Sequence, residues 1–139
     1  MSEAPVAETP TILVVDDEED LRDIMRRMLE RKGYAAITAG DPDETTAICQ
    51  NHAGKIDVMV TDLTLPGEQT GGELAAAVRK MRPGIHVIFI SGLPKDIAVA
   101  KGLVSDDDIL VKKPFTADAL LEALRRVLGD GPDQAGAVS

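Results

Sequence analysis

A chain of 139 residues, 44% hydrophobic and 2% aromatic, has the length for one domain whose core is built from Leu, Ile, Val, Met and Ala without disulfide or structural metal. Its formal charge of -9 argues against direct nucleic-acid binding, which needs a surplus of Lys and Arg against phosphate. The lone Cys49 excludes an internal disulfide, no apolar run nears the ~20 residues of a membrane span, and the first residues lack a secretory pattern; a cytoplasmic protein with no membrane contact is expected.

Residues 1–10 are small, polar and Pro-containing, and read as a flexible tail. Thr11–Val15 is a short apolar strand, followed at once by Asp16-Asp17-Glu18-Glu19-Asp20, whose carboxylates suit the positive end of a helix. Leu21, Ile24, Met25, Met28 and Leu29 then recur at helical spacing as one apolar face, and Gly33 supplies the stop. Tyr34–Ala39 predicts a second strand. Asp41, Pro42 and Glu44 mark the entry of a helix running to about Ala53: a capping Asp, Pro in the first helical position, and Glu three residues after the cap.

The third strand, Ile56–Thr61, is an apolar β-branched run of the kind buried on both sheet faces, and Asp62 stands where it ends. Taken alone, Asp62 is a turn-forming aspartate. The Gly-rich segment 67–72 lacks the lysine of a phosphate-cradling loop, and Thr70 with Glu73 forms a capping box for a helix with Leu74, Ala75, Val78 and Met81 inward. His86–Ile90 is the fourth strand, with Ser91-Gly92 at its end, and Lys95–Lys101 a short helix. Asp106-Asp107-Asp108 precedes a strand and reads as a solvated turn. Ile109–Val111 is the fifth strand, trailed by Lys112-Lys113-Pro114-Phe115. Thr116 caps a last helix with Leu120, Leu121, Leu124, Val127 and Leu128 toward the core, and residues 130–139 form a second tail.

Strands alternating with helices imply a parallel sheet covered on both faces; right-handed crossovers and one reversal give a flavodoxin-like (βα)5 fold with strand order 2-1-3-4-5 over residues 11–129. Ligands in such sheets bind beyond the carboxyl ends of the strands. Four strand ends there carry chemistry: Asp16 and Asp17, Asp62, Ser91, and Lys112-Lys113. The second strand ends in Ala39-Gly40 and offers none. Three converging carboxylates repel, which raises at least one pKa, and an all-oxygen set with room for water suits Mg2+. A lysine and a serine hydroxyl can hold phosphoryl oxygens, and a carboxylate can act as the covalent nucleophile, so the set suits phosphoryl transfer.

The strand followed by Asp16-Asp17, Thr61-Asp62 with Leu65-Pro66, Ile90-Ser91-Gly92 and Lys113-Pro114-Phe115, in this order, resemble the receiver domain of two-component response regulators over roughly Thr11 to Leu128. The resemblance implies that Asp62 is the phosphoacceptor. It implies that Asp17, Asp16 partly through water, Asp62 and the backbone carbonyl of Thr64 hold Mg2+. Ser91 and Lys113 would bind the phosphoryl oxygens, with Lys112 facing outward and the Lys113–Pro114 bond cis. The domain would catalyse its own phosphorylation, from a sensor histidine kinase or histidine phosphotransfer protein, and its slow dephosphorylation. As a single-domain regulator it would signal to a downstream protein by contact or by phosphate relay, as a monomer or weak dimer through the face of helix 4, strand 5 and helix 5. Receivers commonly carry Tyr or Phe three residues before the motif lysine; Leu110 stands there.

Other classes fit less well. A haloacid-dehalogenase-type phosphatase needs Asp-x-Asp after the first strand, where this chain has adjacent Asp16-Asp17. A flavodoxin-like FMN carrier needs a hydroxyl-rich phosphate loop and aromatic stacking, where this chain has carboxylates and no Trp. A receiver acting by contact without phosphorylation would have little use for the complete acidic set.

Overall fold

The computed structural model describes residues 9–65 and 70–129. The two tails, apart from Thr9 and Pro10, and the start of the Gly-rich loop, with Pro66, lie outside the described residues. Ten elements follow in strict alternation: β1 Thr11–Val15, α1 Glu19–Arg31, β2 Ala35–Ala39, α2 Pro42–Asn51, β3 Val58–Asp62, α3 Gly71–Met81, β4 His86–Ser91, α4 Lys95–Ala100, β5 Ile109–Lys112 and α5 Ala117–Leu128. All neighbouring strands pair in parallel, in the order β2-β1-β3-β4-β5 expected from the sequence.

The two-residue side-chain period of the strands divides the core into two layers. Ile12 and Val14 of β1, Val58 and Val60 of β3, and Ile88 and Ile90 of β4 face α1 and α5, where they meet Met25, Leu29, Leu120 and Leu124. Leu13, Val15, Met59, Val87 and Phe89 face the other side, against Cys49, Leu74, Ala75, Val78 and Ala98 from α2, α3 and α4. Every residue of β3 is buried, as a central strand covered on both faces requires. No helix among the described residues is long and apolar enough to cross a membrane.

The caps are where the sequence places them. Asp41 accepts the Glu44 N–H at 2.7 Å, and Thr116 accepts that of Ala119 at 3.1 Å. Thr70 and Glu73 satisfy each other's backbone N–H groups in a full capping box. At Gly33, φ is +93°, the left-handed turn that ends α1.

Some boundaries differ from expectation. β3 starts at Val58 because Asp57 is engaged with the start of β1: its Oδ2 accepts the Thr11 N–H at 2.7 Å and its N–H donates to the Thr11 carbonyl at 2.9 Å. The strand then extends one residue further than expected, to Asp62. β4 likewise takes in Ser91 and β5 takes in Lys112, so the polar residues sit on the last rung of the sheet. Tyr34 lies before β2, buried, its N–H donating to the Leu29 carbonyl. Helix α2 ends at Asn51, where the extended backbone of His52 stops it, and α4 ends at Ala100. Ile24 is not in the core: it is 62% exposed at the edge of the α1 stripe, beside a cleft that it shares with Pro114 and Phe115.

Candidate functional site

Because the strands are parallel, β1, β3, β4 and β5 deliver their carboxyl ends to one edge of the sheet. Asp16 follows β1 directly and is 1% exposed; Asp62 closes β3 and is 7% exposed. With the solvent-facing Asp17 they form a cluster whose candidate ligand oxygens lie within 4.8 Å of one another. Each buried aspartate is tied into a local turn. Asp16 Oδ1 accepts the Glu18 N–H at 2.8 Å, and Asp62 Oδ1 accepts the Thr64 N–H at 2.9 Å.

Lys113, just past β5, reaches across to donate from Nζ to Asp62 Oδ2 at 2.6 Å. Its own position is set by its N–H, which donates to the Ser91 carbonyl at 2.7 Å, and the Lys113–Pro114 bond is cis. Lys112 points outward, exposed. Burial works against the charge of Lys113, but the Asp62 hydrogen bond, with the charges of Asp62, Asp16 and Glu18, outweighs it and holds its pKa above the usual lysine value.

Asp16 has no such counter-charge in contact. Burial pushes its carboxyl above the usual range; the Glu18 N–H opposes this, the Asp62 charge adds to it, Lys113 opposes, and Asp17 adds. Asp16 Oδ2 is buried without a hydrogen-bond partner. An unsatisfied carboxylate oxygen amid two more carboxylates is costly unless a cation meets it. A hard, all-oxygen donor set fits a divalent ion such as Mg2+ or Ca2+.

Two further expected members reach the same edge. Ser91 is 3% exposed, and its hydroxyl accepts the Leu93 N–H at 2.9 Å and keeps its own O–H to donate. Thr64 is exposed at the mouth and joins the site through its N–H, whereas the role expected of it rests on its carbonyl.

The structure also places residues there that the sequence reading passed over. Arg22 of α1 donates from Nη1 to the Asp16 carbonyl at 2.7 Å. Ala39, at the end of β2 where no chemistry was expected, accepts the Asp16 N–H at 3.1 Å. Gly71 donates to the Leu63 carbonyl at 2.9 Å, and a Cβ on it would lie 2.5 Å from the Asp62 carbonyl oxygen and 2.8 Å from Leu63 Cα. The signal for Gly71 was available: a Gly pair opening a helix, where glycine is unfavourable, marks a close backbone approach.

A profile of the response regulator receiver domain matches residues 12–125. This chain belongs to the receiver domain family. The receiver is 33% identical over 118 residues to the chemotaxis protein CheY of Pseudomonas aeruginosa, covering 84% of this chain and 94% of that one. It is equally 33% identical over 117 residues to the transcriptional regulatory protein YbdJ of Bacillus subtilis, covering 84% of this chain and 50% of that one. The chain spans about half the length, or less, of several curated relatives it matches. Among solved structures, the response regulator TrrA of Thermotoga maritima, in complex with Mg2+ and BeF, superposes with a TM-score of 0.70 at 28% identity, covering 86% of this chain and all of that one.

Proposed function

We propose that this receiver is a phosphoacceptor in a two-component or phosphorelay system, with Asp62 as the residue phosphorylated. The observation that carries the reading is the meeting of Asp16, Asp17 and Asp62 within 4.8 Å, with a lysine ammonium on one Asp62 oxygen and an unpartnered oxygen on Asp16. Such a site holds two cationic positions around one nucleophile, one filled by Lys113 and one suited to Mg2+. Asp16, Asp17, Asp62 and the Thr64 carbonyl would hold the ion, and when bound it would neutralise charge on the phosphoryl oxygens.

The donor is a phosphohistidine on a sensor histidine kinase or a histidine phosphotransfer protein. An Asp62 oxygen attacks phosphorus, the P–N bond breaks, and its electron pair returns to the imidazole, which takes up a proton. Lys113 exchanges its contact with Asp62 for a phosphoryl oxygen as charge builds there. Ser91 donates its O–H to a second oxygen, which accepting the Leu93 N–H leaves it free to do. Hydrolysis of the aspartyl phosphate restores the carboxylate. The receiver comprises residues 11–129, works in the cytoplasm, and signals to a protein target through the face formed by α4, β5 and α5, as a monomer or weak dimer.

Magnesium-dependent labelling with acetyl phosphate, read by intact mass, tests the assignment. Wild type gains one phosphoryl group and Asp62→Ala gains none. A labelled Asp62→Ala protein would sink the Asp62 assignment, and an unlabelled wild type would favour a receiver that works by contact alone.

A further inference from the structure

Asp16 is fixed at every polar group but one. Its N–H donates to the Ala39 carbonyl at 3.1 Å, Oδ1 accepts the Glu18 N–H at 2.8 Å, and its carbonyl accepts Arg22 Nη1 at 2.7 Å. What is left is Oδ2, buried and without a partner. The Arg22 bond spans six residues and draws the start of α1 back onto the end of β1. It is charge-assisted on the donor side, and so stronger than an ordinary backbone contact.

The guanidinium lies over the end of β2. A Cβ built on Gly40 would sit 3.0 Å from Arg22 Nη1 and 3.4 Å from Cζ. Gly40 is not one of the glycines with positive φ, so its backbone would accept any side chain. The missing side chain there makes room for Arg22.

We propose that Arg22 is a positioning residue for the cation site and that Gly40 is its socket: the Arg22–Asp16 bond locks the β1–α1 turn and keeps the Asp16 carboxylate in the cluster with Asp17 and Asp62. The link to a cation rests on the function proposed above; the clamp itself does not. Arg22 bonds a carbonyl, not a carboxylate, so it acts on the position of Asp16, as outer-shell partners of metal ligands do.

The test compares Arg22→Met, Arg22→Lys, Gly40→Ala and the Met/Ala double variant with wild type. Two quantities are measured: Mg2+ affinity by calorimetry, and hydrogen exchange of the Asp16 amide in EDTA. Arg22→Met is expected to weaken Mg2+ binding roughly 10- to 100-fold. Its Asp16 amide should exchange about tenfold faster. Arg22→Lys, which keeps a charged donor, recovers part of both. Gly40→Ala pushes the flexible guanidinium tip aside by a few tenths of an ångström, so it lengthens the bond and gives a smaller share of both losses, with a melting temperature in EDTA close to wild type. The double variant is no worse than Arg22→Met alone, because both changes act on one bond. Full additivity, or wild-type Mg2+ affinity in Arg22→Met, overturns the proposal. If wild type itself binds no Mg2+, the phosphoacceptor reading fails, and the exchange data alone decide the clamp. Unchanged Asp16 protection in Arg22→Met then overturns it, and lost protection in both Arg22→Met and Gly40→Ala sustains it.

Discussion

The turns after β1 and β3 start alike. Each holds a buried aspartate whose Oδ1 accepts the N–H two residues on, at 2.8 Å in Asp16 and 2.9 Å in Asp62. They part at the second oxygen. Asp62 Oδ2 is held by Lys113 at 2.6 Å, whereas Asp16 Oδ2 has no partner. The plain role of a turn-forming aspartate is therefore real in both places and takes up half of each carboxylate. The other half is what the site can use. One spare oxygen is matched by a fixed ammonium and the other is matched by nothing, so two neighbouring acids with the same local geometry differ in their electrostatics.

Removing the lysine would make the two turns alike and should have the largest effect. In Lys113→Met, Asp62 Oδ2 joins Asp16 Oδ2 as an unpartnered carboxylate oxygen, and the charge that offsets three acids is gone. The rate of labelling by acetyl phosphate should fall on the order of 100-fold, the cost of losing one preorganised donor. Stability in denaturant should fall by only about 1–2 kcal/mol, since Lys113 keeps a third of its side chain in solvent and the pair is partly screened. Labelling at the wild-type rate would mean that Lys113 holds the resting turn and nothing more.

A second change tests the scaffold under the Asp62 turn alone. In Gly71→Ala, the new Cβ meets the Asp62 carbonyl at 2.5 Å, and neither backbone can yield without moving the other. A loss of about 2 kcal/mol is expected from chemical denaturation, after a small gain from replacing glycine in a helix. Because the clash falls on the Asp62–Leu63 backbone, labelling should slow as well, while the β1–α1 turn keeps its Asp16 amide protection. Equal loss of protection at both turns would show that they are one mechanical unit.

Much of this was legible in the chain. Strand and helix alternation, three side-chain caps and the strand order all follow from local patterns that the tertiary structure does not override. Asp16, Asp17, Asp62 and Lys113 could be grouped because the topology alone sends the ends of β1, β3 and β5 to one edge. The glycine pair at the start of α3 signalled a close approach at Gly71 but not to what, and Arg22 and Gly40 could not be placed with the site, since their contact exists only once the turn after β1 is closed. Ile24 shows the limit of periodicity: its spacing puts it on the apolar stripe, but it lies at the stripe's edge and stays in solvent. Leu110, which stands where receivers commonly have an aromatic residue, pairs in register with Phe89 on β4 and packs into the same core layer.

The smallest effect isolates the spare oxygen itself. Asp16→Asn keeps Oδ1 for the Glu18 N–H and exchanges the unpartnered oxygen for an amide that can donate to Asp17 or Asp62. In EDTA the variant should melt a few degrees above wild type, the size that about 1 kcal/mol produces in a domain of this length. Mg2+ binding should weaken in the same variant, so stability and affinity move in opposite directions. The pH dependence fixes the cause. Burial is the largest of the influences that hold the Asp16 carboxyl above its ordinary range. A carboxyl with a raised folded pKa binds its proton more readily in the folded state. The stability this supplies is fully present below the unfolded value and is lost as pH rises through the folded one. The advantage of Asp16→Asn should therefore be small in acid, widen as pH rises through that window, and then level off. Wild-type Mg2+ affinity should rise across the same window, because proton and cation compete for the Asp16 carboxylate, and that of Asp16→Asn should rise less. An advantage that did not change with pH would mean that the unpartnered oxygen carries no charge penalty, and the contrast between the two turns would then reduce to hydrogen bonding alone.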